Sequence, residues 1–386
     1  MSKITLNEQI KNTQQECKFL NIAKKLKSTN GKRPAGRCAF FNAFFSLKSA
    51  VVSLFLISFF IIPLKAGDLD NIDISLDLGD VDKPYSYKGY LKPELYYIDD
   101  KEKYTRFKSE LNFEGDYKKD LWYFKGNWSG YYITDEYDIS TYGIVNELYV
   151  KYGDVNKNVT VGKELLKWGK GYAYSAVSFF TRPKNPLYPE DLKQGYELVH
   201  LKTIDTLNST VKNYSLDLIY MPSSNALNSD LKKSQNWGAK LYMLYNDIDI
   251  DFMFEKSNVY PDKYGADFSF NLMTELEMHG EFAKDSDSKT SYLLGSKYAS
   301  DYDYTLTLEW YKDWSENKFI YTKISQKDFY IDYLTAYITG IRNYTQNMNS
   351  LLIGGSYDFK NNFVLTVEYL TSTKQKQTKL SVSYYF

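Results

Sequence analysis

Histidine is the side chain most often used for proton transfer, and this chain of 386 residues has only two, His200 and His279. A hydrolytic enzyme would need one of them beside a serine, asparagine or aspartate that completes a nucleophile and its base. No serine-containing motif flanks either histidine, and His279 lies between Glu277 and Glu281 in an alternating polar and apolar run. The sequence therefore predicts no catalytic residues, and we interpret His279 as a polar strand residue.

A metal or cofactor site is not predicted either. The aspartates between residues 67 and 84 are numerous enough to suggest calcium, but the glycine and the terminal glutamate of a calcium-binding loop are missing. A glycine-rich turn that would hold phosphate groups after a strand is also missing. We interpret residues 67–84 as an acidic leader, and we expect no cofactor.

Two groups of charged residues have opposite signs. The basic group, Lys167, Lys170, Arg182 and Lys184, lies within residues 162–195, which hold three of the nine prolines of the chain. The acidic group occupies alternating positions of later segments: Asp249, Asp251, Glu255, Asp267, Glu277, Glu281 and Glu309. If the fold places the two groups on opposite sides of a water-filled space, they create an electric field across it that favours polar solutes. The alternative is that they are ordinary surface and lining charges, and that the basic stretch lies outside.

The elements that carry these charges are predicted to be β-strands. From about Tyr85 onward, apolar and polar residues alternate in segments of about ten, which are separated by turns rich in Asp, Asn and Lys. In one segment Ile250 and Phe252 share a face, and Asp249 and Asp251 share the other. A soluble sandwich has the same period, but the number and uniformity of the segments favour a barrel, as do 38 tyrosines in a chain of mean hydropathy -0.48.

The chain also ends on such a segment. Residues 380–386 place Leu380, Val382, Tyr384 and Phe386 on one face. This ending resembles the terminal strand of Gram-negative outer-membrane β-barrels. The resemblance implies that Tyr384 and Phe386 belong to the signal that the barrel assembly machinery recognises.

The connections between segments are alternately short and long, as in barrels whose two chain ends are periplasmic. Counting with this parity predicts an all-β, transmembrane, antiparallel up-and-down barrel of 18 strands, provided that Lys318 to Ile324 is a strand, and 16 otherwise. Residues 162–195 then form the third outer loop. This arrangement resembles general porins, which implies that the loop folds into the lumen and narrows the pore. The run from Gly162 to Gly171 also resembles stretches of uncharacterised outer-membrane barrels.

The region before the barrel is predicted to direct export. An apolar run at residues 50–64, preceded by Lys48 and followed by Ala66, fits the core of a signal peptide. We therefore divide the chain into 1–46, a basic extension from a misannotated start; 47–66, the signal peptide; 67–84, the acidic periplasmic leader; and 85–386, the barrel. Residues 1–66 carry 11 of the 48 basic and 2 of the 48 acidic side chains, so the mature net charge is −9. An acidic mature chain argues against nucleic-acid binding.

The function predicted from these patterns is an outer-membrane, porin-like channel for passive diffusion of small hydrophilic solutes or ions. The alternatives are a transporter for hydrophobic compounds, or a barrel enzyme or adhesin. The expected partners are outer-membrane lipids and lipopolysaccharide, the assembly machinery and small hydrophilic solutes, with the chain as a monomer or a homotrimer. Solute specificity and ion selectivity stay open at this point.

Overall fold

The structure is a computed structural model, and it describes residues 84–191, 193–207 and 211–386. The predicted extension, the signal peptide and residues 67–83 of the leader lie outside the described residues. The elements found are β1 (Tyr85–Asp99), β2 (Lys103–Lys119), β3 (Trp122–Thr134), β4 (Ile139–Gly153), β5 (Lys157–Glu164), a 3-10 helix (Pro189–Asp191), β6 (Tyr196–Thr206), β7 (Val211–Ser223), β8 (Ser234–Tyr245), β9 (Ile248–Ser257), β10 (Lys263–Met273), β11 (Leu276–Asp285), β12 (Thr290–Ala299), β13 (Tyr304–Lys312), β14 (Lys318–Gln326), β15 (Leu334–Asn343), β16 (Met348–Asp358), β17 (Phe363–Ser372) and β18 (Lys376–Tyr385). Within these ranges no helix is long and apolar enough to cross a membrane.

The strands form one closed antiparallel sheet. Each strand pairs with the next one along the chain, and β18 pairs with β1 to close the barrel. At this seam Gly89 and Phe386 exchange two backbone hydrogen bonds of 2.8 and 3.0 Å. The predicted all-β up-and-down barrel is confirmed, and because Lys318–Gln326 forms β14, the count is 18 and the alternative of 16 is wrong.

The outer face of the sheet is apolar and the inner face is polar, which is the reverse of the arrangement in a soluble protein. On β9, Phe252 points outward and is 49% exposed, whereas its inward neighbour Asp251 is 3% exposed. On β13, Trp310 is half exposed and Glu309 is buried. Apolar side chains thus cover the outside of the barrel, and polar side chains line the inside. A continuous apolar exterior of this kind is stable in contact with lipid and not in water.

The ends of the barrel differ in the length of their connections. We call the end that carries Tyr85 and Phe386 the terminal end, and the opposite one the loop end. Connections at the terminal end are mostly two to four residues long, for example 120–121, 246–247 and 300–303. One of them, 327–333, is longer than the short turn expected there, and it has left-handed φ angles at Asp328, Tyr330 and Tyr333. An N–H···O bond of 2.5 Å from Tyr333 to the Asp328 carboxylate holds this wider turn.

Candidate functional site: a loop inside the barrel

The connection between β5 and β6, residues 165–195, is the longest in the described chain, and we call it the lumen loop. Its two ends meet at the barrel wall. A Cβ atom on Gly195 would stand 2.2 Å from the carbonyl oxygen of Glu164, so only glycine fits beside the end of β5. The Gly195 N–H also donates to the Asn146 carbonyl oxygen at 2.9 Å. The loop therefore leaves and re-enters the wall at one point.

An apolar cluster holds the first half of the lumen loop against the inside of the barrel. The rings of Trp168 and Phe180 meet edge to face with 5.2 Å between centroids. Gly238 on β8 leaves room for them, since a Cβ there would stand 2.3 Å from the Phe180 ring. The cluster comprises Leu166, Trp168, Val177, Phe179 and Phe180 of the loop with Tyr196, Leu198, Ile219, Met221, Met253 and Ala283 of the strands. Full burial of one large apolar side chain stabilises by about 1.5–3 kcal/mol, so the cluster is a substantial anchor.

Glu281 on β11 forms a second anchor, made of hydrogen bonds to the loop. Its Oε1 atom accepts the backbone N–H groups of Lys170 and Gly171, each at 2.7 Å. Its Oε2 atom accepts the Ser175 hydroxyl at 2.8 Å and the Ala176 N–H at 2.5 Å. The carboxylate is buried, so it is the loop backbone and not water that satisfies it.

Glu309 on β13 forms a third anchor in the same way. Its carboxylate accepts the N–H groups of Tyr172, Ala173 and Tyr174, the last two at 3.0 and 3.3 Å. His279 on β11 lies beside this carboxylate, with its Nε2 atom 3.3 Å from Glu309 Oε1. The imidazole ring lies over Gly295 on β12. A Cβ atom at position 295 would stand 2.2 Å from Nε2, so a larger residue would collide with the ring. Glu281 and Glu309 are therefore positioning residues for the loop.

The second half of the lumen loop contacts strands on the other side of the barrel. Tyr188 donates its hydroxyl to Glu368 on β17 at 3.1 Å, and Lys379 on β18 lies over the Tyr188 ring. Lys193 donates to Glu110 on β2 at 2.9 Å. Because the first half is attached to strands between β6 and β13 and the second half to β17, β18 and β2, the loop spans the lumen. The expected folding of this loop into the lumen is therefore what the structure shows.

The four basic residues of the loop take different positions. Lys170 forms an ion pair with Asp251 on β9, with 3.2 Å between Nζ and Oδ2. Arg182 binds Asp230 in the loop between β7 and β8 through two hydrogen bonds of 2.6 and 3.2 Å. Lys184 donates to the carbonyl oxygens of residues 171 and 172, and burial lowers the pKa of its ammonium group. Lys167 is exposed.

The seven acidic residues lie on the inward face of β9, β10, β11 and β13, as the alternation predicts. Most are engaged: Asp249 accepts the Tyr242 hydroxyl at 2.5 Å, Glu255 pairs with Lys263 at 2.6 Å, and Glu277 accepts the Tyr172 hydroxyl at 2.7 Å. Asp267 is buried and is the register partner of both Asp251 and Glu281. The geometry thus differs from the expected opposition across water: at Asp251, Glu277, Glu281 and Glu309 the loop and the acidic wall are in direct contact.

The histidines contact carboxylates. His200 lies between Glu164 and Asp217, with N···O distances of 3.1 and 3.0 Å, and Lys240 links Asp217 to Asp251 through ion pairs of 3.7 and 3.6 Å. Sequence reasoning missed this network, although the inward register of His200 and Asp217 was readable from the alternation. Within residues 84–386 as described, no group of three or more His, Cys, Asp or Glu side chains is arranged to hold a metal ion.

The carboxy-terminal aromatic residues lie on the outer face at the seam. The ring of Tyr384 is 4.7 Å from that of Phe363 on β17 and 6.1 Å from that of Phe386. Tyr384 and Phe386 are both exposed, on the side where the outward residues of β18 meet lipid. Their role as an assembly signal stays a prediction.

Comparisons with known proteins bear on the fold. No protein-family model matches the sequence, and no curated protein matches it. Among solved structures, OccK5 (OpdH) of Pseudomonas aeruginosa is similar with a TM-score of 0.54 and 10% identity, over 78% of this chain and 98% of that one. OprD of the same organism is similar with a TM-score of 0.50 and 11% identity, over 78% and 95%. The likeness is one of fold. The predicted porin-like barrel architecture is confirmed, and function has to be argued from the site.

Proposed function

We propose that residues 85–386 form a channel in the outer membrane for passive diffusion of small hydrophilic solutes or ions. One observation carries the proposal: a closed barrel of 18 strands is apolar outside and polar inside, and a loop attached to opposite walls spans its lumen. Barrels of 16–18 strands are wide enough to enclose water. Polar side chains on the inside of such a barrel would be costly to bury without water or partners.

The lumen loop acts as the constriction of this channel. A solute that crosses the barrel passes between the loop and a wall, because the loop is attached on both sides. The anchors at Glu281 and Glu309 keep the constriction at a constant size, since several hydrogen bonds would have to break together for the loop to move. Selection is therefore by size and polarity, as in other pores with a fixed narrow region.

Charge selectivity comes from the groups that are not neutralised at the loop. Lys167 and Lys184 have no carboxylate within 4 Å among the described residues, whereas Lys170 and Arg182 are paired. The acidic residues Glu281 and Glu309 are covered by loop backbone. We therefore propose that the loop side of the constriction is positive, with the acidic wall contributing mainly at Asp249 and Glu277.

The proposed location implies a route of export and membrane assembly. The signal peptide at 47–66 would direct export, the assembly machinery would recognise Tyr384 and Phe386, and the apolar exterior would contact membrane lipid and lipopolysaccharide. The exposed apolar exterior of the strands supports this route. Whether the barrel is a monomer or a homotrimer is decided by mass measurement of the extracted protein.

The alternative functions have less support in the geometry. A path for hydrophobic compounds would need a free apolar surface in the lumen, but the apolar cluster around Trp168 is filled by the loop itself. An enzyme would need a nucleophile hydrogen-bonded to a histidine. His200 is held between two carboxylates, and among the described residues His279 contacts Glu309 through Nε2 while its Nδ1 atom has no hydrogen-bond partner. Neither observation favours a second proposal.

The test is electrical recording of purified, detergent-extracted protein in planar bilayers. We expect discrete conductance steps, and we expect vesicles that contain the protein to swell in small sugars. Shortening the loop across residues 172–187 should raise the single-channel conductance, because the constriction dominates the series resistance. A folded protein, identified by slower migration on gels before heating, that gives neither conductance nor swelling would exclude the channel function.

A further inference from the structure

A partly open cavity of about 230 Å³ lies between the lumen loop and the strands β12–β14. The strand residues that line it are Lys297, Thr305, Thr307, Tyr321, Lys323 and Ser325. Part of the loop covers it through Tyr172 and the 3-10 helix at Pro189–Asp191. At about 30 Å³ for each water molecule, the cavity holds roughly eight waters, or one small organic solute in their place.

The sheet register sets the spacing of the polar groups in this cavity. Lys297 on β12 is the register partner of Thr307 on β13, which in turn is the partner of Lys323 on β14. One level closer to the terminal end, Thr305 is the partner of Ser325. Two cations therefore flank a hydroxyl group, about 10 Å apart at neighbouring-strand spacings of about 4.8 Å, with a second row of hydroxyls beside them.

The residues that line the cavity carry two positive charges, on Lys297 and Lys323, and one negative charge, on Glu190. Lys323 forms an ion pair of 3.0 Å with Glu190 of the loop, whose side chain is 73% exposed. Lys297 forms no ion pair within 4 Å among the described residues, although its register partner on β11 is Glu277, whose carboxylate accepts the Tyr172 hydroxyl. The Nζ atom of Lys297 lies 4.6 Å from the centroid of the Tyr172 ring. The ring attracts the cation without neutralising it. An ammonium group in a partly enclosed cavity that is not directly paired with a carboxylate can bind an anion.

We propose that this cavity is a binding subsite for a small hydroxylated oxyanion, with its carboxylate or phosphate group on Lys297 and its hydroxyl groups on Thr305, Thr307 and Ser325. The subsite deepens the proposed channel function and rests on it for its biological use. It lies next to the constriction, since Tyr172 belongs to the segment that Glu309 holds. A solute passing the loop would therefore meet the subsite directly.

Calorimetric titration of the full, detergent-extracted protein tests the subsite without requiring conduction. The probes are D-gluconate for the carboxylate and glycerol 3-phosphate for the phosphate, with D-glucose and glycerol as neutral counterparts. We expect at least one of the two anions to bind and the neutral counterparts to bind at least about tenfold more weakly, because a charge-assisted hydrogen bond is lost. Which anion binds more tightly identifies the group that Lys297 recognises.

The variant Lys297→Met keeps the length of the side chain and removes its charge, and Lys151→Met is the matched control. Lys151 also faces inward and lies over tyrosine rings, those of Tyr123 and Tyr149, but outside this cavity. We expect Lys297→Met to weaken anion binding by about tenfold or more, and Lys151→Met to leave it unchanged. Slow gel migration before heating must show that both variants are folded.

Equal weakening in the two variants, equal binding of neutral and anionic probes, or no binding of any probe by the folded protein would each overturn the subsite. Conductance, measured on the same preparation, decides the channel function independently. A conducting protein that binds no probe loses the subsite and keeps the channel, and a protein that binds anions without conducting loses the channel and keeps the binding site.

Discussion

Replacing Glu281 and Glu309 by glutamine should release the lumen loop and enlarge the pore. Each Glu→Gln change keeps the shape of the side chain but turns one acceptor oxygen into an NH₂ donor. At Glu281, one oxygen accepts two backbone N–H groups, and the other accepts the Ser175 hydroxyl and two N–H groups, from residues 176 and 177. Either orientation of the amide therefore leaves at least two donors of the loop without an acceptor.

The expected cost follows from these contacts. A buried donor left unsatisfied costs about 1–3 kcal/mol, so Glu281→Gln should weaken loop attachment by about 2–6 kcal/mol. Glu309→Gln leaves at least one more donor unsatisfied, because its two oxygens divide the N–H groups of residues 172, 173 and 174 between them. That adds about 1–3 kcal/mol. Since 1.4 kcal/mol corresponds to a factor of ten in population, the double variant should populate detached loops.

Planar-bilayer recording gives the result. We expect the double variant to show a higher mean conductance and larger current fluctuations than the unaltered protein. The control for each single substitution is Glu114→Gln on β2, which removes one negative charge from an inward glutamate that pairs with Lys125. Unchanged conductance and noise in a folded double variant would refute the reasoning, because the loop would then be held by other contacts or would lie outside the conducting path.

Three further predictions address the membrane face, assembly and export. Phe252→Lys on the outward face of β9 should lower the free energy of unfolding by about 2–4 kcal/mol in lipid, whereas Ser269→Lys on the inward face of β10 should change it little. Denaturant titration in lipid vesicles measures both free energies. Equal losses in the two variants would argue against the assigned faces. Deletion of Phe386 should reduce the yield of assembled barrel more than the stability of the barrel that does assemble; a fall in stability alone would point to a packing role. A chain without residues 1–46 should be exported and begin near Gly67 by intact-mass analysis; loss of export would show that the extension is needed.

The strands were predictable because their two faces meet different solvents. Phe252 and Asp251 are neighbours in sequence but face lipid and lumen, so the period of two is visible without any homologue. The count of 18 depended on recognising Lys318–Gln326 as a strand, which the parity of the connections required. The turn at 327–333 is longer than the short connection that the parity predicts at this end of the barrel.

The contacts of the lumen loop could not be predicted. Glu281 and Glu309 have the same alternating setting as any lining acid, and nothing local shows that each will meet backbone N–H groups more than 100 residues earlier in the chain. The inward apolar residues Ile219 and Met253 were also missed, because a polar lumen was expected on their side of the strand. In the sequence they are visible only as apolar residues at positions of the otherwise polar inward face. Such residues predict a contact inside the barrel only once their partner in the loop is known.

The attachment of the lumen loop near the seam has a consequence for mechanical strength. No turn connects the last strand to the first. They are joined by their ladder of hydrogen bonds and by side-chain contacts such as the 3.9 Å ion pair of Lys379 with Glu94, so this is where an up-and-down barrel can be unzipped from a chain end. Lys193 bonds to Glu110 on β2, and Tyr188 bonds to Glu368 on β17, one strand away from the seam on either side. The same loop thus links the strands on the two sides of the seam from inside the barrel. A barrel pulled apart from its carboxy-terminus should resist until these two contacts break, so the lifetime of the folded barrel depends on the segment that narrows its lumen.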